Sequence, residues 1–286
     1  MSVTARTAGS SPTRSDVYKS EVRFGVVMYG GVSLAIYING VANELYEMAC
    51  ATPKVVEKDQ VTVGTRDVYR KASFLLGNEE LRTRYAQHLA SPETVPNPLD
   101  DAASLAGAER ARFVVDVISG TSAGGINGAF LAKALANGQQ FSPLKNLWIQ
   151  EGNIDSLLND DASYEGIEYA KNDSPTRSLL NSDRMYVKLL DAFQNMNEAV
   201  RPIGESESQL VDEIDLYMTT TDIRGAVVPL RLFDEVVYEK RFRQVYHFQY
   251  AAASGANRAM ISRTRMRPFS RLPRAAPPRS HSLSNR

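Results

Sequence analysis

Phe113-Val114-Val115-Asp116-Val117-Ile118 is short, apolar and β-branched apart from one aspartate, the pattern of a buried strand. It runs without a spacer into Ser119-Gly120-Thr121-Ser122-Ala123-Gly124-Gly125. A helical pattern through Ile126, Ala129, Phe130, Ala134 and Leu135 follows, with Asn137-Gly138 as its stop. A chain that passes from strand to helix in so few residues needs a sharp turn. Gly120-Thr121-Ser122-Ala123-Gly124 supplies one of the G-x-S-x-G kind, which lifts Ser122 Oγ clear of the sheet edge. The flanking glycines let two backbones pass closely, and the N-terminus of the following helix favours negative charge near the hydroxyl. Two readings of Ser122 are open: a nucleophile, which its place at the junction favours, or a simple helix cap.

The same plan appears earlier. Val22–Tyr29 reads as a buried strand and Gly30-Gly31 breaks it. Leu34, Tyr37, Ile38, Val41, Leu45 and Met48 then fall at helical spacing. Two consecutive glycines can present backbone N–H groups to an anion, so Gly30-Gly31 reads either as an oxyanion hole serving Ser122 or as an ordinary turn. There is no G-x-G-x-x-G and no G-x-x-x-x-G-K-[ST], so nucleotide binding has little support.

Elsewhere the signals are weaker. Residues 52–110 are mixed, with a proline-rich surface loop over residues 91–101. Residues 152–181 are polar and loop-like. Asp183 is placed to cap a helix carrying Tyr186, Leu189, Leu190, Phe193 and Met196, and residues 201–209 form another polar loop. Ile214–Thr221, Val227–Phe233 and Phe242–Tyr250 read as strands. Strands alternating with helices give an α/β sheet with helices on its faces. The single cysteine, Cys50, excludes a disulfide framework and a Cys-based zinc site. The three histidines are far apart: His88 reads as a surface helix residue, His247 as a structural strand residue, and His281 lies in the tail. No metal and no cofactor are expected.

The 33 basic and 33 acidic residues balance, but not evenly along the chain. Residues 1–239 hold every acid and 22 bases, a net −11, and residues 240–286 carry +11. An acidic body argues against a nucleic-acid partner. No run of 18 apolar residues predicts a membrane-spanning helix, and the N-terminus lacks the apolar segment of a secretory signal. The expected location is cytoplasmic or at a membrane periphery. The expected organisation is a flexible start over 1–21, a domain over 22–250, and a basic tail over 251–286.

Taken together, Gly30-Gly31, the following Leu34-Ala35-Ile36-Tyr37, and Asp116-Val117-Ile118-Ser119-Gly120-Thr121-Ser122-Ala123-Gly124-Gly125-Ile126-Asn127-Gly128 resemble the patatin-like phospholipases, and more narrowly the bacterial patatin-related proteins. The resemblance covers residues 22 to about 250. It implies a three-layer α/β/α sandwich of the patatin and cytosolic phospholipase A2 type, with the last part of the domain missing or replaced. It implies hydrolysis of lipid or fatty-acyl esters by a Ser–Asp dyad, with Ser122 as nucleophile, Gly30 and Gly31 as oxyanion hole, and no metal.

Two features depart from that family. The oxyanion loop lacks the usual third glycine and arginine, a variation the narrower subfamily tolerates. More seriously, the dyad aspartate normally stands in an Asp-Gly motif, and this chain has no Asp-Gly dipeptide. Asp222 reads as a strand-to-turn residue and Asp116 as a mid-strand structural one. The tail, with eight arginines, four prolines and no acid after Gly255, reads as a shifted reading frame or the end of a fragment, or else as a native basic segment touching anionic lipid. The expected chain is therefore a serine acyl hydrolase by family, weak on its own; the alternative is an inactive lipid- or acyl-binding module of the same fold.

Overall fold

The computed structural model describes residues 18–54, 62–152, 158–160, 162–165, 179–198 and 210–251. Residues 1–17 of the expected flexible start, 252–286 of the expected tail, the loop at 201–209 and most of 152–181 fall outside these residues, whereas residues 18–21 and Ala251 belong to strands. The elements are β1 (Tyr18–Met28), a 3₁₀ turn (Val32–Leu34), α1 (Ala35–Cys50), α2 (Thr65–Gly77), α3 (Glu79–Ala90), α4 (Ala102–Leu105), β2 (Arg110–Thr121), α5 (Ala123–Asn137), α6 (Ser142–Glu151), α7 (Ser182–Glu198), β3 (Glu213–Arg231) and β4 (Val236–Ala251). The fold is α/β. The sheet runs β1-β2-β3-β4, with β1, β2 and β3 parallel and β4 returning antiparallel to β3.

Register fixes which side chains meet the helices. Val26, Ile118, Leu216 and Phe248 are aligned across the four strands, and Ile118 and Leu216 are fully buried. On this face lies α5, almost every residue of which is buried. A helix apolar all round is the expected central element of such a core. Phe130 of α5 stacks on Phe193 of α7 with ring centroids 3.9 Å apart, and Phe141 ahead of α6 stacks on Tyr46 of α1 at 6.2 Å. The next residues along the strands, Val27, Ser119, Tyr217 and His247, point the other way, where Val27 and the neighbouring Val117 are exposed.

The structure amends several sequence expectations. The first strand is described from Tyr18, and among the described residues it lies at the edge of the sheet with alternating exposure, where a fully buried one was expected. Three helices fill residues 65–105, and α6 precedes the polar stretch after 152. Asp183 does not cap α7. Asn181 does, its Oδ1 accepting from the N–H groups of Asp183 and Arg184 at 3.1 and 3.0 Å. The separate strands 214–221 and 227–233 are one long β3, with a register shift between Thr221 and Ala226.

One ion pair links the edges of this core. Asp212, just before β3, meets Lys54 Nζ at 2.5 Å and the buried Arg112 Nη1 at 3.4 Å. Partial burial works to raise the Asp212 carboxyl, but Lys54 and Arg112 outweigh it and hold it below the usual aspartate range. A carboxyl lowered on folding stabilises the fold at pH values above its unfolded pKa, and the contribution disappears as pH falls through the folded value. Asp212→Asn is therefore expected to cost about 0.5–1 kcal/mol at neutral pH, since the carboxylate is half exposed. Urea titrations from pH 7 down to pH 3 should show the gap between variant and wild type closing below about pH 4.

Candidate active site

The end of β2 delivers Ser122. Its φ of 54° and ψ of −126° make it the one non-glycine residue with positive φ among the described residues. A side chain held there is strained by about 1–3 kcal/mol, and such strain persists only where surrounding structure enforces it. Ser122 is the N-cap of α5 by position, and its carbonyl accepts from Ile126 N–H at 3.0 Å. Its side chain makes no capping hydrogen bond and is exposed. The helix-cap reading of Ser122 is thereby removed.

The glycines around it are explained by contact. A Cβ on Gly120 would stand 2.4 Å from the Gly124 carbonyl oxygen. One on Gly124 would stand 2.2 Å from the Met28 carbonyl oxygen, at the end of β1. The first turn of α5 is thus pressed between its own strand and the neighbouring one. Thr121 turns the other way and its hydroxyl meets that of Thr219 on β3. Ala123, after Ser122, is buried.

Gly30 and Gly31 follow β1, which lies beside β2. A Cβ on Gly30 would meet Ser122 Cβ at 2.6 Å and Ser122 Oγ at 3.3 Å. Two segments ninety residues apart in sequence therefore touch at one corner. Gly31 has φ 151°, and its carbonyl accepts from Leu34 N–H at 3.2 Å, which starts the turn into α1.

A buried asparagine holds this corner from below, and the sequence reading gave it no role. Asn127 is fully buried. Its Nδ2 donates to the carbonyls of Ala123 at 3.0 Å and Ala35 at 3.3 Å. Its Oδ1 accepts from Asn39 Nδ2 at 3.1 Å and from Trp148 Nε1 at 3.4 Å. One side chain thus ties the starts of α1 and α5 to α6. Its signal in the sequence is a polar residue, one of two with Lys133, inside the mostly apolar pattern of α5.

Titratable groups considered from the sequence are engaged elsewhere. Asp116 binds Arg23 Nη1 at 2.6 Å. Asp222 accepts from Arg224 N–H at 2.9 Å in the irregular part of β3. His247 pairs with Asp215 at 2.6 Å and lies flat on Tyr217. Hydrogen bonds from Gln249 and then His247 hold the Asp215 carboxyl below its usual range. His88 is on α3, its Nδ1 2.6 Å from the Val95 carbonyl. Among the described residues no carboxylate or imidazole hydrogen-bonds to Ser122.

The patatin-like phospholipase family matches residues 102–276, more than half of the chain. The match includes the Ser122 elbow and begins after the Gly30-Gly31 turn. An uncharacterized membrane protein of Mycobacterium tuberculosis, Rv3479, is 28% identical over 220 residues, 76% of this chain. The chain spans 17% of the length of that curated relative. No solved structure matches. Among the described residues no helix is long and apolar enough to cross a membrane. With more than half of its length matched, and a mixed α/β sheet carrying the matched elbow, the chain belongs to the patatin-like phospholipases, a family of lipid acyl hydrolases.

Proposed function

We propose that this domain attacks fatty-acyl esters of lipids through Ser122. The observation that carries the reading is the contact between Gly30 and Ser122 at a strained, exposed elbow. In the proposed reaction Ser122 Oγ adds to the ester carbonyl carbon. The oxyanion that forms is stabilised by backbone N–H groups of Gly30 and Gly31 and by the N-terminal end of α5. Collapse expels the alcohol, which takes up a proton, and leaves an acyl-serine that water then hydrolyses. Gly120, Thr121, Ala123 and Gly124 shape the elbow.

The first step needs a base for the hydroxyl proton. The 286 residues contain no Asp-Gly dipeptide, and the aspartates weighed above have other partners. We therefore infer that this polypeptide holds the nucleophile and oxyanion parts of the machinery and turns over slowly by itself. The second reading, an acyl-binding module without turnover, draws its support from the same missing base.

A fluorophosphonate probe separates the two. Its phosphorus is attacked by a serine oxygen with loss of fluoride. The expected result is a single adduct on the Ser122 peptide by mass spectrometry, forming slowly and faster with rising pH, and absent in Ser122→Ala. Labelling equal in wild type and Ser122→Ala would remove Ser122 from the chemistry. Acyl-chain binding with no Ser122 adduct at any pH would favour the binding module. Gly30→Ala should slow labelling about tenfold or more, because its methyl group displaces the loop against Ser122. Some stability should be lost as well, because the methyl also crowds the Thr121 carbonyl, so labelling is compared at a temperature where the variant is folded.

A further inference from the structure

Arg110 opens β2 at the end remote from Ser122, roughly 35 Å away along the strand. Its side chain is buried, at 4% exposure. The guanidinium lies over the ring of Tyr18 at 5.0 Å and over that of Phe74 at 5.4 Å. Among the described residues it has no ion pair and no hydrogen bond, and its Nε is sealed from solvent without a partner there.

Arg112, two residues on and similarly buried, also leaves its Nε without a partner, but the fold satisfies its two terminal nitrogens. Its guanidinium meets Glu21 at 2.9 Å, Asp212 at 3.4 Å and the Leu210 carbonyl at 2.9 Å. Among the described residues, the charged groups around Arg110 offer it no carboxylate. Glu109 is paired with Lys19, Glu21 with Arg23 and Arg112, and Asp67 with Arg70 and Lys71. Tyr18 is itself committed, its hydroxyl donating to the Pro53 carbonyl at 2.7 Å.

Burying a guanidinium is costly unless an anion or hydrogen-bond acceptors compensate it. Two aromatic faces return only part of that cost and leave the N–H fork unused. Burial, with the Arg70 charge nearby, also presses the Arg110 guanidinium below its ordinary range. We propose that Arg110 is the centre of a binding site for a small oxyanion, a phosphate or carboxylate group gripped by the guanidinium fork between Tyr18 and Phe74, at the end of the sheet opposite Ser122. A guanidinium fork matches both groups in geometry.

The test is the melting temperature of the 286-residue protein in inorganic phosphate, and separately in acetate, with ionic strength held constant by potassium chloride. Wild type should be stabilised by several degrees by at least one of the two, and which one identifies the group. Arg110→Met should lose the response. Arg110→Lys, which keeps the charge but not the fork, should bind at least tenfold more weakly by calorimetric titration. Should Arg110→Met fail to fold, the lysine variant decides, and wild-type affinity there would overturn the proposal. It is also overturned if neither anion stabilises wild type, because packing or a carboxylate of the chain then satisfies the group. An equal response in wild type and Arg110→Met overturns it too, because the anion then binds elsewhere. None of these readouts depends on Ser122.

Discussion

Gly124→Ala is expected to lose at least about 3 kcal/mol of stability, at the upper end of overpacking effects. The new methyl group would stand 2.2 Å from the Met28 carbonyl oxygen and 2.8 Å from that of Tyr29. Both are backbone atoms at the end of β1, so no rotamer change relieves the clash. Either α5 lifts from the sheet or β1 shifts. Each response also separates Gly30 from Ser122, so labelling of Ser122 should fall with stability. A control lies in α1, where Gly40 has nothing within 4 Å of its would-be Cβ. There the same substitution should stabilise by about 0.5–1 kcal/mol, because alanine is the better helix former. Chemical denaturation of the two variants checks the opposite signs; a neutral Gly124→Ala would contradict the close packing of elbow and strand.

Asn127→Leu should be of comparable severity, about 3–4 kcal/mol. The branched shape is kept but leucine is bulkier, so overpacking adds to the loss from stranded polar groups. Asn39 Nδ2 and Trp148 Nε1 would lose their shared acceptor, and the Ala35 carbonyl would lose a donor. Buried groups left unpaired cost about 1–3 kcal/mol each. A second change, Asn39→Leu, removes one stranded donor and should return part of the loss. The double variant should be less destabilised than the sum of the two singles. Strict additivity in a denaturant-melt cycle would mean that the two asparagines do not act as a unit.

The site was legible where its residues are neighbours in sequence. Ser122 was named from a strand pattern, a G-x-S-x-G turn and a helix pattern, and all three elements are present. The helix stop at Asn137-Gly138 was legible too, since Gly138 adopts the left-handed conformation at φ 62°. By contrast, α2 was missed and α3 was read only as a surface helix at His88, because much of their apolar surface serves a small side cluster around Phe74, Leu81 and Leu99. The cap of α7 was misplaced by two residues because Asn181 and Asp183 are both good cap residues. Only the hydrogen bonds of the folded chain choose between them.

By itself the sequence determined the local bends: a strand that must turn at glycines into a helix, twice, with a hydroxyl at the second turn. Periodicity and backbone conformation are properties of adjacent residues, so one chain read in order suffices to state them. That the two turns meet was decided by the tertiary structure. Gly30 reaches Ser122 because β1 pairs in parallel with β2, and Asn127 fastens their two helices because α1, α5 and α6 converge on one buried amide. Such contacts depend on register and packing across ninety residues, and no local pattern encodes that distance.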